Sequence, residues 1–400
     1  MNPSEHDLPT LRINVGTTAG TRTQAIFQAV RSGEEPREIT RCRLRELGLP
    51  PAAGELHLTP QEAFRVPENA LNLLKATEFG PPGVLWLELR SPRGYLYVLP
   101  WERLLEPLGR PLLRRPQHAL RPAASQSALR VGLCASAPAV LAQLCRVWRE
   151  RSGFDVKIHV FTDASAVAGM REWAAGDDRP VVIPDPPPEK PWLPWIRDAM
   201  EGTALDVMHF AGHGYLDQDR GAIALANTPT SHTAQEMSRF VGAPEMTAFL
   251  SQVGAWCLAL TGPVANFSAT GLRELADAVS LAGPSVTMVH EMGTDDAEFR
   301  QLGDAVATVL GKAPSGLRPM PAVACWAQPM FVENSSFIDD DTHAMLARHD
   351  TPAWVASATR TVEALQAKWL PRDPSREMDP DAKAALQSIS SLVHQHVSGR

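Results

Sequence analysis

Apolar and polar positions along the chain change period several times, and each change marks an element. Leu11-Arg-Ile-Asn-Val15 alternates as a half-buried strand does, and His57 with Leu58 reads as the close of a second short one. Pro60 to Thr77 predicts a helix, with Thr59 as N-cap, Pro60 in the first turn and an apolar tract from Ala70 to Leu74. Val84 to Leu89 and Gly94 to Leu99 are strand-like runs, and Arg90-Ser-Pro-Arg93 between them predicts a hairpin. The basic, proline-containing and weakly periodic stretch from Arg114 to Ser127 marks a boundary.

Beyond it strands and helices alternate. Strand-like runs cover Leu129–Cys134, Val156–Phe161, Asp206–Ala211, Gly221–Ala226, Ala255–Leu260 and Ser285–Val289. Helical patterns cover Val140–Glu150, Ala164–Ala175, Pro194–Gly202, Ala243–Gln252, Thr270–Ala282 and Asp295–Leu310, the last with acidic residues in its first turn. Pro184 to Pro194 is an extended proline-rich loop, since proline has no backbone donor to give. Ala255-Trp-Cys-Leu-Ala-Leu260 is apolar throughout, as a central strand covered on both faces is. This βαβα rhythm predicts an α/β fold with a mostly parallel sheet and helices on both faces. Past Asp350 two polar helical patterns, Pro352–Leu370 and Asp381–Val397, flank Pro371-Arg-Asp-Pro374. The expected organisation is an N-terminal α/β subdomain over 1–125, a core over 126–345 and a helical C-terminal tail over 346–400.

Composition removes whole classes of function. A net charge of −7 gives no general attraction to nucleic acid or to an anionic membrane, so neither is an expected partner. The amino terminus lacks a basic start followed by an apolar run, and no segment reaches the ~18 consecutive apolar residues of a membrane span. Five cysteines at wide, irregular spacings, with no CxxC pair, fit a reduced cytoplasmic compartment and no structural zinc. Neither GxxxxGK[ST] nor GxGxxG occurs, so no nucleotide cofactor is expected. Asp339-Asp-Asp341 lacks calcium-loop spacing and reads as solvated surface, so no metal is expected either.

In an α/β sheet, ligand-handling side chains gather outside the carboxyl ends of the strands. Gly212-His213-Gly214 follows the strand Asp206–Ala211 directly, and two flanking glycines predict a sharp turn that leaves the His213 imidazole uncovered for acid/base work. The plain alternative is a loop histidine between turn glycines. His209, inside the strand, reads as a packed residue with satisfied ring nitrogens.

The string Asp206-Val-Met-His-Phe-Ala-Gly-His-Gly214 resembles the signature of the CHAT family, caspase-like domains in the clan of cysteine peptidases, found in bacterial proteins often with tetratricopeptide repeats. Leu99-Pro-Trp-Glu102 with Pro107-Leu-Gly-Arg-Pro111 is similar to its N-terminal LPWE region, Leu275 to Val286 to its later core, Asp295-Asp-Ala-Glu-Phe299 to its last core helix, and Cys325-Trp-Ala327 to its closing Trp-Ala pair. The resemblance spans Val84 to Phe331 and implies a caspase-like fold.

It also implies a peptidase dyad of His213 with a cysteine at the end of the next central strand, the imidazole assisting a thiolate and backbone N–H groups holding the oxyanion. That strand reads Ala255-Trp-Cys-Leu-Ala-Leu-Thr-Gly-Pro263, which departs from the family. Matching the alanine before the nucleophile puts Leu260 at the cysteine position; matching Thr-Gly downstream puts Ala259 there. Three readings stay open: a natural pseudopeptidase, an engineered inactive variant with alanine at 259, or a local shift that makes Cys257 the partner of His213. Thr261 is a further hydroxyl candidate.

Other polar groups near the string also carry expectations. Asp217, Asp219 and Arg220 follow the histidine loop as a possible pocket for an Arg or Lys side chain, or as a solvated loop. Glu102 is expected to pair with Arg114 or Arg115, and His290 with Glu291 to face the edge that carries His213. The functional expectation is a CHAT-type pseudopeptidase of a bacterial signalling or defence system that binds a protein or peptide, with other domains or a partner peptidase as candidate partners. The alternatives are an active cysteine endopeptidase with a His213/Cys257 dyad, and a structural module.

Overall fold

Runs that are apolar on both sides of the strand lie where both faces of the sheet are covered. The computed structural model describes residues 8–329, apart from 19–21, 31–34, 52, 81–82, 91–93, 117–127, 218–219, 232–237, 265, 283–284, 294–298 and 311–317. Among these residues the main sheet has twelve strands. The amino-terminal part supplies β1 (Thr10–Thr18), β2 (Arg22–Val30), β3 (Arg37–Arg43), β4 (Leu85–Leu89) and β5 (Leu112–Arg114). The remainder supplies β6 (Ala128–Cys134), β7 (Asp155–Phe161), β8 (Val181–Val182), β9 (Val207–Ala211), β13 (Cys257–Pro263), β14 (Val286–Met292) and β15 (Val323–Ala327). The order is β3-β2-β1-β4-β5-β15-β14-β13-β9-β6-β7-β8, and most neighbours run parallel; β1/β2, β2/β3 and β14/β15 are antiparallel. A second sheet of β10 (His213–Asp217), β11 (Arg220–Leu225) and β12 (Arg239–Gly242) is antiparallel throughout.

Helices cover the main sheet on both faces, as the alternating pattern predicts. On one face α3 (Pro138–Arg151), α4 (Val167–Ala175) and α8 (Arg300–Leu310) bury Leu141, Trp148, Met170 and Val306 against Val207, Cys257, Ala259 and Met288. On the other, α5 (Trp192–Ala199), α6 (Ala243–Val253) and α7 (Asn266–Ser280) bury Ile196, Phe249 and Leu275 against Met208, Phe210, Leu258 and Leu260. Alternate residues of β9 and β13 thus feed two different cores, which the period of two along a strand requires. No helix among the described residues is long and apolar enough to cross a membrane.

The amino-terminal elements differ from the sequence reading in several places. Gly94 to Leu99 is not a returning strand: Leu96–Val98 forms a 3-10 turn, followed by α2 (Trp101–Leu104). Both neighbours of β4 are parallel strands, β1 and β5, so a hairpin partner has no place beside it. The apolar alternation serves a compact turn, in which the Trp101 indole donates to the Leu96 carbonyl at 2.6 Å and Leu96, Val98 and Leu99 are buried. Residues 53–58, where a second strand is expected, form a 3-10 helix. The helix expected over 60–77 shrinks to α1 (Glu68–Lys75), because Pro67 lacks the donor to continue a helix and restricts the residue before it. Strands β2 and β3 carry too many polar residues to stand out in the sequence.

The amino-terminal strands extend the main sheet through β5, which pairs with β15. Arg114 on β5 secures that junction. Its guanidinium donates to both carboxylate oxygens of Glu102 at 2.8 Å and to the carbonyls of Tyr97 and Leu99, and lies 4.5 Å over the Trp326 ring of β15. The Glu102–Arg114 pairing expected from sequence is therefore present, buried rather than on the surface. The expected C-terminal helices, with Asp339–Asp341, lie outside the described residues.

Candidate functional site

Strand β9 ends at Ala211, and the chain leaves the main sheet through Gly212 into β10, whose first residue is His213. The Gly212 amide donates to the Thr261 carbonyl at 2.9 Å, so the exit of β9 is pinned to the carboxyl end of β13. His213 is exposed.

The flanking glycines do not act as the sequence reading expects. Neither Gly212 nor Gly214 has a positive φ. What Gly214 provides is proximity: a Cβ there would fall inside contact distance of the Ser268 carbonyl and Leu272 on α7. The Gly214 amide accordingly donates to Ser268 Oγ at 2.8 Å. Gly221 on β11 and Gly271 on α7 are equally crowded, the latter against the Tyr215 backbone. The small sheet thus rests backbone-to-backbone on α7, its inner face completed by Leu216, Ile223 and Val241.

The outer face follows from the register. His213 is opposite Ala224 and Ala224 opposite Phe240; Tyr215 is opposite Ala222 and Ala222 opposite Gly242; Asp217 is opposite Arg220. Because the central strand offers only alanines, the rings of Tyr215 and Phe240 meet above it, stacked with centroids 4.3 Å apart. Both remain exposed, at 38% and 48%. Asp217 is exposed on the same face, and Asp219 lies outside the described residues.

Beneath this exit lies a buried polar chain that crosses three strands. The Trp148 indole on α3 donates to His209 Nδ1 at 3.0 Å, His209 Nε2 is 2.8 Å from the Thr261 hydroxyl, and that oxygen is 3.4 Å from His290 Nδ1. An indole only donates, so Nδ1 of the neutral His209 ring is an acceptor and Nε2 carries the proton. His209 therefore donates to Thr261, whose oxygen also lies 3.4 Å from His290 Nδ1. A hydroxyl that receives a proton from its neighbour is not being deprotonated by it, so His209 does not activate Thr261. Burial, with the nearby His290, lowers the His209 pKa to about 3, and the ring stays neutral. Its reading as a packed, satisfied histidine holds.

The structure does not bring Cys257 to His213. Cys257 starts β13, opposite Val207, whereas the His213 exit is opposite Thr261, four residues further, or about 13 Å along a strand. Its thiol is fully buried among the residues beneath α3 and α8, and burial pushes its pKa up, with Asp206 adding to the effect. Of the two positions matched to the nucleophile, Ala259 faces that same core and Leu260 the opposite one, both fully buried. All five cysteines are free and buried, and burial raises each thiol pKa, to about 12 for Cys42 and Cys145.

His290 and Glu291 face opposite ways. His290 meets the Thr261 hydroxyl and packs edge-on to Phe299, while Glu291 binds Arg273 of α7 and Arg103. Arg273 is fully buried, and also donates to the Val98 carbonyl at 2.7 Å and to Gln61 Oε1 at 2.8 Å. This ionic knot ties α7, on which the small sheet rests, to the amino-terminal segments.

No family model, curated protein sequence or solved structure matches this chain. Among the described residues no group of three or more His, Cys, Asp or Glu is placed to hold a metal ion. An open cavity of 370 Å³ lined by Arg197, Asp198, Glu201 and Gln252 lies before the amino ends of β9 and β13, away from His213. Sequence reasoning missed the Tyr215/Phe240 stack and the Trp148–His209–Thr261–His290 chain. Both depend on inter-strand register, although the alternation of His213, Tyr215 and Asp217 already places those three on one face.

Proposed function

We propose that this chain is a CHAT-type, caspase-like scaffold of a bacterial signalling or defence system that binds a protein or peptide at the His213 face without cleaving it. Three features support the reading: the HFAGHG string at a central strand exit, an α/β sheet compatible with a caspase-like fold, and an exposed surface around His213. The observation that carries the non-catalytic part is the strand end beside His213. It offers Thr261, Gly262 and Pro263, and the only nucleophilic atom of the three, the Thr261 hydroxyl, accepts a hydrogen bond from His209 on a residue that is 1% exposed. A thiolate is the usual partner of such an imidazole. Here the sulfur nearest in sequence is fully buried at the opposite end of its strand.

The test is exposure of the full chain to a randomised peptide pool, with new termini read by mass spectrometry beside the His213→Ala variant. The reading predicts identical product profiles from the two proteins. Cleavage present in the parent and lost in His213→Ala would overturn it.

A further inference from the structure

The outer face of the β10–β12 sheet has more chemistry than a solvated surface needs. Tyr215 and Phe240 lean over Ala222, leaving it only 8% exposed, yet keep large parts of their own rings in water. Asp217 follows Tyr215 by two residues on the same face, about 7 Å along the strand. Arg220 stands opposite Asp217, but no ion pair joins the two among the described residues, so the carboxylate keeps its acceptor sites. The neighbouring cation of β12, Arg239, is engaged by Glu245.

We infer that this face recognises an arginine side chain presented by an extended segment of a partner protein, its guanidinium stacked on the Tyr215/Phe240 pair and hydrogen-bonded to Asp217. The inference rests on the binding reading above and names the chemistry of its ligand. An aromatic face attracts a cation through its quadrupole, and a planar guanidinium also stacks on it. The same plane offers two parallel N–H donors to a carboxylate, which an ammonium does not. The exposed carboxylate beside the rings and the chain's net charge of −7 give the complementary sign. The partner's backbone runs over the Ala222 and Ala224 strand, beside His213.

The probes are two pools of N-acetylated, C-amidated nonapeptides, randomised except for a central arginine in one and citrulline in the other. Citrulline keeps the planar shape and loses the charge. Each pool is passed over immobilised full-length chain at low ionic strength, and retention is read by mass spectrometry. The expected result is at least fivefold stronger retention of the arginine pool, about 1 kcal/mol, as an exposed cation–aromatic contact gives. Asp217→Asn and Phe240→Ser are each expected to bring the ratio below twofold, and Phe240→Tyr to preserve it. Equal retention, no retention of either pool, or a preference that survives both substitutions would overturn the inference. Cleaved peptides in the same spectra would instead count against the non-catalytic reading, so the two failures are separable.

Discussion

His209 Nε2 lies 2.8 Å from the Thr261 hydroxyl, across two neighbouring parallel strands and directly below the point where the chain departs toward His213. The contact uses the one hydroxyl at the end of β13 as a structural link, on a residue that is 1% exposed. Thr261→Val leaves the His209 N–H without its acceptor in a buried site, at an expected cost of about 1–3 kcal/mol, whereas Thr261→Ser keeps the oxygen and costs less. Urea unfolding of the two variants measures this. Equal stability of Thr261→Val and the parent protein would mean that the contact is not made.

The same ring gives an acid dependence. Its folded pKa of about 3 lies below the ordinary 6.5, so the unfolded chain binds the proton first. The stability it contributes is complete above pH 6.5 and is lost as pH falls toward 3, at up to about 1.4 kcal/mol per pH unit. His159, lowered by burial and by Arg130, acts in the same sense, so the informative quantity is the difference between the parent and His209→Gln. Stability profiles between pH 7 and 5 should be shallower for the variant. Parallel profiles would contradict the assignment.

The glycines of the histidine segment are expected to behave unequally. Gly214→Ala drives a methyl into the α7 backbone and is expected to cost about 1–3 kcal/mol or more. Gly212→Ala meets only ordinary contacts at 3.5 Å from Ala224 O and Ile223, and is expected to be close to neutral. Thermal denaturation of the pair separates close approach from turn formation as the role of this motif.

At the junction of β5 and β15, Glu102→Ala abandons a guanidinium that is 1% exposed, with an expected loss of about 3–5 kcal/mol. Arg171→Ala removes a pair whose side chains are 50% and 81% exposed, and its expected effect is under about 1 kcal/mol. Chemical denaturation of both variants tests whether the amino-terminal strands are bound to the rest of the sheet through this ion pair.

Much of the scaffold is legible in the sequence, because Leu258–Leu260 is an unbroken apolar run, as a strand covered on both faces requires, and Val156–Phe161 alternates, with Lys157 exposed. The runs around Leu129–Cys134, Val156–Phe161 and Leu258–Leu260 each became a strand of the central sheet. The amino-terminal part was harder, since β2 and β3 mix polar residues into their runs, while the alternation at Gly94–Leu99 belongs to a turn fixed by the Trp101 indole. His213 was visible as a strand-exit residue. Its surroundings were not, because the need for Gly214 comes from α7, more than fifty residues downstream, and the Tyr215/Phe240 stack comes from the register of three strands.

No thiolate faces His213, and site-resolved alkylation of the native chain at neutral pH reads this out. With all five thiols buried and their pKa values raised, labelling by iodoacetamide should be slow at every cysteine and should not change in His213→Ala. Rapid, selective modification of Cys257 that disappears in His213→Ala would contradict the account.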